Sequence, residues 1–509
     1  MSDHRIDHPC SRSSASARGV LFLLLGTLLP ALTPHALLAQ NVIWSKTFGG
    51  ALPDGAHDLK ITSDGGIILA GFNGSGTNGI DQFYLLKLDG AGDEVWSRTY
   101  GELNRDDVAA SVLQASDGGF VFAGRGQVSN QTHDAELWRT DALGNVIWQR
   151  AFTMGADTRA HSVVQTSDGG FILAGQTHLP NEIFANYDVW IAKTDASGIL
   201  EWQRSYEARP GDDSGNDIAR SIQQTSDGGY IVGGQTMAGW WDAYILRLDP
   251  FGDILWERTM FENAYADECH AIRQTADGGF VFTGVTVEPG HSDTNLLLGR
   301  LDDVGNTLWT RNFGTHAGSM CEEVGQSIDI TGDGGFLIAG QTSAQSAGSW
   351  DAWVIRTDAN GEEVWTRQYG GVQDDRAFSI GQTVEGDPVL CGWTYSEGAG
   401  SGDAWIMKLG DSATTAVPET PTAFHSGDLQ AWPNPTTGPT TLFLANETGG
   451  LESLLIFDSQ GKRIRTLQPS VSAHWDGLDD QGAPVAAGTY FAVATTRLAR
   501  RSTTLTLIR

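Results

Sequence analysis

Basic residues are scarce in this chain of 509 residues: 32 Lys and Arg stand against 62 Asp and Glu, a formal charge of −30. A surface of that sign repels a phosphate backbone, which excludes nucleic-acid recognition through a basic face. Cysteine is scarcer still, with four copies. Cys10 precedes the first apolar run, and Cys269, Cys321 and Cys391 are odd in number, so at most one disulfide forms and cysteines do not define the fold. After residue 40 no apolar run reaches the ~20 residues of a membrane-spanning helix. Linear catalytic signatures are also missing: H-E-x-x-H, G-x-S-x-G, the P-loop and C-x-x-C. Their absence weighs against an enzyme without removing one assembled from several parts of the chain.

The first segment reads as an address. Arg5, Arg12 and Arg18 precede an apolar run over 19–29, and small residues follow near Ala39. A basic start, a short apolar core and small residues at the end describe a secretory signal peptide, expected over 1–39. Pro30 and Pro34 and the shortness of the core argue against a membrane anchor.

The rest is dominated by a repeat of about 53 residues. Trp recurs at 44, 96, 148, 202, 256, 309 and 365, each followed two residues later by Lys or Arg. D-G-G begins at Asp64, Asp117, Asp168, Asp227, Asp277 and Asp333, with a degenerate E-G-D at Glu385. A third marker supplies Lys87, Arg139, Lys193, Arg247, Arg300, Arg356 and Lys408. Each unit reads as four short strands without helical spacing. D-G-G is expected as a type I′ hairpin turn, whose central residues need positive φ. D-x-x-G is expected as a type I turn with glycine in the left-handed position. The Trp and base at i and i+2 share one face of the fourth strand.

Seven four-stranded units predict an all-β, seven-bladed β-propeller over 40–410, since ring closure hides the sheet edges. The repeat starts with a Trp strand over 41–48 and ends with a third-type strand over 403–409. The N-terminal strand is therefore expected to complete blade seven.

This segment holds 22 bases, 14 of them on the two repeat positions, against 51 acids. The repeat bases are expected over Trp faces or paired with repeat Asp residues. Asp54, Asp107, Thr158, Asp217, Asp267, Glu323 and Asp375 stand ten residues before each D-G-G or its equivalent. The six carboxylates are expected to ring one mouth of the central channel. There they make a candidate Ca²⁺ site, because hard cations take clustered oxygen ligands. The local alternative, in which each accepts N–H groups of its own blade, takes precedence because a periodic residue serves the period. The acidic loop 211–217 is a similar candidate without EF-hand spacing. Trp240, Trp241, Trp350, Trp393 and Tyr395 break the repeat and are candidate ligand-binding aromatics, able to stack on sugar rings or anchor a protein; packing between blades is the alternative. His161 and His270 lack metal-ligand spacing and read as structural or solvent-facing.

From 411 to 427 the period stops and Pro, Thr and Ala take over, as in an extended linker. Alternating strands follow over 428–509, where seven bases balance seven acids, and predict a small Ig-like β-sandwich. P-N-P at 433–435, F-D-S-Q-G-K-R-I-R-T-L at 457–467 and W-D-G-L-D-D-Q-G-A-P-V-A-A-G-T-Y at 475–490 carry a resemblance. This segment resembles the C-terminal sorting domain of type IX secretion cargo and is similar to the Ig-like domain of flagellar hook-capping proteins. The resemblance implies the type IX secretion machinery as a partner and release or anchoring at the outer cell surface of a bacterium. The blades resemble bacterial secreted propeller repeats, which implies fold and not activity.

The expected function is a secreted or surface-attached, non-catalytic propeller that binds an extracellular protein or polysaccharide. The competing class is an extracellular polysaccharide hydrolase or lyase, with carboxylates from several blades at the channel mouth.

Overall fold

The computed structural model describes residues 42–410 except 78, 103, 130–131, 180–185, 209–214, 238–240, 261–265, 289–292, 315–320, 345 and 347–349. Beyond 410 it describes 429–432, 440–444, 451–458, 462–467, 472–486, 488–496 and 500–507. The signal segment, the linker and Trp240 lie outside the described residues. The chain divides into two compact units, one ending at Gly410 and the other starting at Asp411.

In the first unit the described residues form seven four-stranded antiparallel sheets, six of them with strands in simple sequence order. Blade one consists of Asp54–Ile61, Ile67–Asn73, Gln82–Leu88 and Glu94–Tyr100. The innermost strands of the other blades are Val108–Gln114, Asp157–Gln165, Asp217–Gln224, Glu268–Gln274, Glu323–Ile330 and Asp375–Gln382. Each touches the next, and Asp375–Gln382 touches Asp54–Ile61, so the ring closes as a β-propeller. In the last sheet Val42–Phe48 pairs antiparallel with Asp403–Leu409, and the Trp405 indole donates to Ser45 Oγ at 2.8 Å.

The core lies between neighbouring sheets. Ile172, Val189 and Ile191 of blade three pack with Tyr230, Tyr244 and Leu246 of blade four. Across the closing junction, Leu59, Leu69 and Leu86 of blade one meet Val389, Cys391 and Ile406. Serines stitch the innermost strands together: Ser111 Oγ accepts from Val163 N–H and Ser327 Oγ from Ile380 N–H, both at 3.3 Å. Ser379 Oγ accepts from Leu59 N–H at 3.3 Å, carrying the pattern across the closure. Cys269, Cys321 and Cys391 are buried in three different blades.

The repeat markers have two structural tasks. The outer-strand base lies over its own Trp, as Arg150 does over Trp148 at 5.2 Å and Arg311 over Trp309 at 5.2 Å. That Trp packs on the D-x-x-G turn of the following blade. A Cβ on Gly198, whose φ is +74, would sit 2.7 Å from Trp148, so glycine is needed there for both conformation and space. The third-strand base is buried and pairs with the D-G-G carboxylate, as Arg247 does with both oxygens of Asp227 at 2.6 and 2.7 Å.

The D-G-G hairpin differs from the expected type I′ turn. In blade one Gly65 N–H donates to Thr62 O at 2.9 Å and only Gly65, at φ +77, is left-handed. The turn is therefore type I followed by a left-handed glycine. Asp64 stays at negative φ, where its side chain accepts the Gly66 N–H at 3.0 Å and pairs with Lys87.

In the second unit one sheet orders Leu429–Trp432, Thr440–Leu444 and Ser472–Trp475. The other orders Arg463–Leu467, Leu451–Asp458, Gly488–Thr496 and Arg500–Leu507. Leu442 and Trp475 of the first sheet share a core with Leu454, Ile456 and Tyr490 of the second, which makes a β-sandwich. The W-D-G motif serves this core: Trp475 is fully buried against Tyr490 and its indole donates to Leu478 O at 2.9 Å.

Candidate functional site

Every innermost strand of the propeller loses register with its neighbour at the same repeat position. The breaks fall between Ala56 and Asp58, Ala109 and Ser111, Ala160 and Ser162, and Ala219 and Ser221. They recur between Cys269 and Ala271, Gly325 and Ser327, and Ala377 and Ser379. A β-bulge adds one residue with no partner in the ladder and re-aims its side chain. The seven extra residues are His57, Ala110, His161, Arg220, His270, Gln326 and Phe378. All seven line one cavity of about 680 Å³, which falls in the size range of ligand pockets. Since every blade contributes, the cavity is the funnel of the ring.

The flanks of this position repeat while the position itself holds five residue types. Two residues earlier on the same strands, Val108, Arg159, Glu268, Val324 and Arg376 also line the cavity, joined by Arg125, Val285 and Gln341 from second strands. Thr294, Glu322 and Trp350 complete the lining with Ala160.

Four arginines thus face two glutamates in a propeller that carries 22 bases and 51 acids. Each arginine is held differently. Arg376 lies 5.1 Å from the Trp350 ring and 5.9 Å from that of Trp393, with Asp374 at 3.4 Å. Arg159 pairs with Asp157 at 2.7 Å over the ring of Tyr187 at 5.6 Å. Exposed Arg220 is oriented by Gln235 Oε1 at 3.1 Å. Arg125 forms no ion pair among the described residues, and its Nε and that of Arg376 are buried without a hydrogen-bond partner.

The histidines report this field. Burial, followed by the charges of Arg220, Arg159 and Arg125, brings His161 down to about 3, so it is neutral at physiological pH. Burial also lowers His57, with Arg125 adding to the effect. His57 Nδ1 and His270 Nδ1 reach the backbone carbonyls of Ala109 and Gly325 in the next blade, each at 3.0 Å. His270 Nε2 meets Glu268 Oε2 at 2.7 Å. Burial raises the Glu322 carboxyl, opposed by Arg376.

The expected carboxylate ring takes another arrangement. Asp54, 1% exposed, accepts Gly50 N–H at 2.8 Å and Ser75 Oγ–H at 2.6 Å. Asp375 accepts Gly371 N–H and Ser396 Oγ–H, both at 2.7 Å. Asp107 takes Gln127 N–H at 2.9 Å and Asp217 takes Ala208 N–H at 2.7 Å. Thr158 accepts Met154 N–H at 3.2 Å, which explains why a hydroxyl serves at this repeat position. Asp267 and Glu323 are buried in their own blades. Strand-entry geometry turns Asp54, Asp107, Asp217 and Asp375 toward nearby backbone N–H groups. Among the described residues no group of three or more His, Cys, Asp or Glu is placed to hold a metal ion.

Of the candidate aromatics, Trp350 lines the funnel. Trp393 stands behind the lining, edge-on to Phe378 at 5.2 Å and to Tyr395 at 6.2 Å. Trp241 is half-buried on the strand Trp241–Leu248 and its carbonyl accepts Asp267 N–H at 2.8 Å. Reading His161 and His270 as merely structural or solvent-facing missed their place in the funnel. The signal available was a variable residue between neighbours that are small in nearly every copy, Ala, Cys or Gly before it and Ser or Ala after it, with Asp58 the exception.

The architecture defines the class: a β-propeller with an axial funnel, followed by a β-sandwich. No protein-family model matches the chain. The regulatory protein FlaEY of Caulobacter vibrioides is 26% identical over 132 residues, which are 23% of this chain and 13% of that protein. Puromycin hydrolase is similar at TM-score 0.45 and 12% identity, over 82% of this chain and 59% of its own. The periplasmic gluconolactonase of Pseudomonas aeruginosa gives TM-score 0.43 and 13% identity, over 70% of this chain and 100% of its own. The α-L-arabinofuranosidase of Fusarium graminearum gives 0.40 and 10%, over 72% and 99%. Among the described residues no helix is long and apolar enough to cross a membrane.

Proposed function

We propose that this chain is an exported, non-catalytic binding protein that takes an extracellular ligand into the propeller funnel. One observation carries the reading: seven side chains of five types, each on a bulge between repeated neighbours, converge on a single cavity. A residue that held only the ring together would repeat like the serine beside it. Export rests on the signal segment 1–39 and on the resemblance of 428–509 to type IX sorting domains. The lining favours binding over hydrolysis, because one of its two carboxylates, Glu268, is engaged by His270 at 2.7 Å. A free acid and base pair is what hydrolysis would require.

The test fills the funnel. Ala110→Trp places a large ring at a half-buried bulge position. The protein is screened against immobilised polysaccharides and surface proteins of its host. The variant is expected to melt as the parent does and to lose the captured ligand. Ligand retained at full affinity by a folded Ala110→Trp protein would refute a funnel site.

A further inference from the structure

The arginines in the funnel select the chemistry of its ligand. Only eight bases of the propeller lie off the two repeat positions, and Arg125, Arg159, Arg220 and Arg376 converge on this one cavity from four different blades. Repeat bases are consumed by their Trp or Asp partners, whereas Arg125 forms no ion pair among the described residues and Arg220 is oriented by the neutral Gln235. Resting on the funnel as the binding site, we infer that the ligand is an acidic saccharide, a short run or end of a uronic-acid chain.

Three features of the lining meet three features of such a sugar. Guanidinium groups bind carboxylates through charge-assisted, often paired hydrogen bonds. Arg376 is set for this by lying beside two indoles, which reduces the freedom lost on binding. The unpartnered Nε atoms of Arg125 and Arg376 mark donor capacity that the protein leaves unused. Hydroxyl groups need acceptors. Gln341 lines the cavity at 5% exposure with its Oε1 buried and unpartnered, and Gln326 stands on the adjacent bulge. Ring C–H faces pack on aromatics, which Trp350 and Phe378 supply beside Arg376. An inorganic anion would use the arginines alone. Trp350, Phe378, Gln326 and Gln341 stand on two neighbouring blades beside Arg376, an arrangement that suits a hydroxylated ring bearing a carboxylate.

The propeller's acidic surface does not prevent this. At physiological ionic strength a charge is screened within about 8 Å, so groups in the funnel decide the local potential. Burial is the main reason His161 stays neutral, and Arg220, Arg159 and Arg125 add to it.

The experiment is calorimetric titration of the mature full-length chain with tetrasaccharides of galacturonate, mannuronate and glucuronate. Their methyl esters and a hexaglutamate peptide are titrated alongside. At least one acid form is expected to bind, with its ester roughly tenfold or more weaker. Arg220→Gln and Arg376→Gln are each expected to weaken binding roughly ten- to hundredfold, the range of a charge-assisted hydrogen bond. Arg376→Lys should recover part of that loss. Arg105→Gln lowers the charge equally outside the funnel and should bind as the parent. Binding by none of the acids, equal binding of acid and ester, or indifference to both Arg→Gln changes overturns the inference. Tighter binding of hexaglutamate overturns it in favour of an acidic peptide. In each of these cases a ligand blocked by Ala110→Trp leaves the funnel reading intact, and one that is not blocked removes that reading too.

Discussion

Glu136 offers a test of the electrostatics of the blades. It is 8% exposed on the strand Thr132–Thr140, where its Oε2 accepts the Trp138 indole N–H at 2.7 Å and the Gln149 amide at 3.2 Å. No ion pair reaches it among the described residues. Burial, with Asp107 and Asp134 adding repulsion, pushes its carboxyl from 4.5 to about 7. The folded state therefore keeps a proton that the unfolded chain has released, and stability falls as pH rises from about 4.5 to about 7. At 1.36 kcal/mol per unit, the loss is about 3 kcal/mol by pH 8. Glu136→Gln removes the titration and keeps an acceptor for Trp138. Any fixed cost of the new amide is the same at every pH, so the quantity to measure is the change in mutant-minus-parent stability between pH 4 and pH 8. Spread over the unfolding entropy of roughly 370 residues, about 3 kcal/mol corresponds to a relative gain of roughly 4 °C for the mutant at pH 8. Differential scanning calorimetry at both pH values reads it directly. A mutant-minus-parent difference that is flat with pH would refute the buried-acid argument.

Two further outcomes follow from the closure of the ring and from the second unit. Deleting 42–48 uncovers the edge of Asp403–Leu409 and removes the partner of the Trp405 indole; aggregation or loss of cooperative melting is expected, with partial rescue by a synthetic peptide of that segment, and unchanged melting would contradict the closure. A chain ending at Gly410 should melt as the propeller does in the full protein but collect in the periplasm of its host, while the full chain reaches the surface; equal surface export of both, measured by fractionation and mass spectrometry, would end the sorting-domain assignment.

The scaffold was legible because its parts repeat. Trp, its base and D-G-G recur at one spacing, and each has a task that must be done once per blade: seam packing, ring contact and hairpin capping. The stagger between the Trp strand of 41–48 and the last strand pointed to the pairing of Val42–Phe48 with Asp403–Leu409. What escaped the sequence reading is direction. Spacing placed Asp54 and Asp375 at strand entries, but whether a side chain there turns toward the channel or back into its loop depends on where Gly50, Ser75, Gly371 and Ser396 present their hydrogens. The type I turn at Asp64 was hidden likewise, because the same residues suit two turn types and the ion pair with Lys87 accompanies the one adopted. The funnel escaped because its parts are dispersed. Arg125 and Arg376 are neighbours of one cavity only once the ring is closed, and a bulge shifts strand alternation by one at the position that matters.

The bulge also explains how a rigid repeat can carry a variable site. Residues beside it hold the ring: Ala109, Ala219 and Ala377 are fully buried, and the following serines bridge to the next blade. The bulged residue itself is excused from the ladder, so its side chain is free of the packing that fixes its neighbours. His57 and His270 add a bridge to the next blade, yet Ala110 and Gln326 occupy the same position without one. The repeat charges are settled within or between blades by Trp faces and D-G-G carboxylates, and therefore leave little net demand on the funnel. Charge placed on or beside the bulges, as in Arg220 and Arg376, then faces the funnel. Stability resides in the repeated positions and recognition in the bulge between them, so the funnel can change its chemistry blade by blade while the ring keeps its shape.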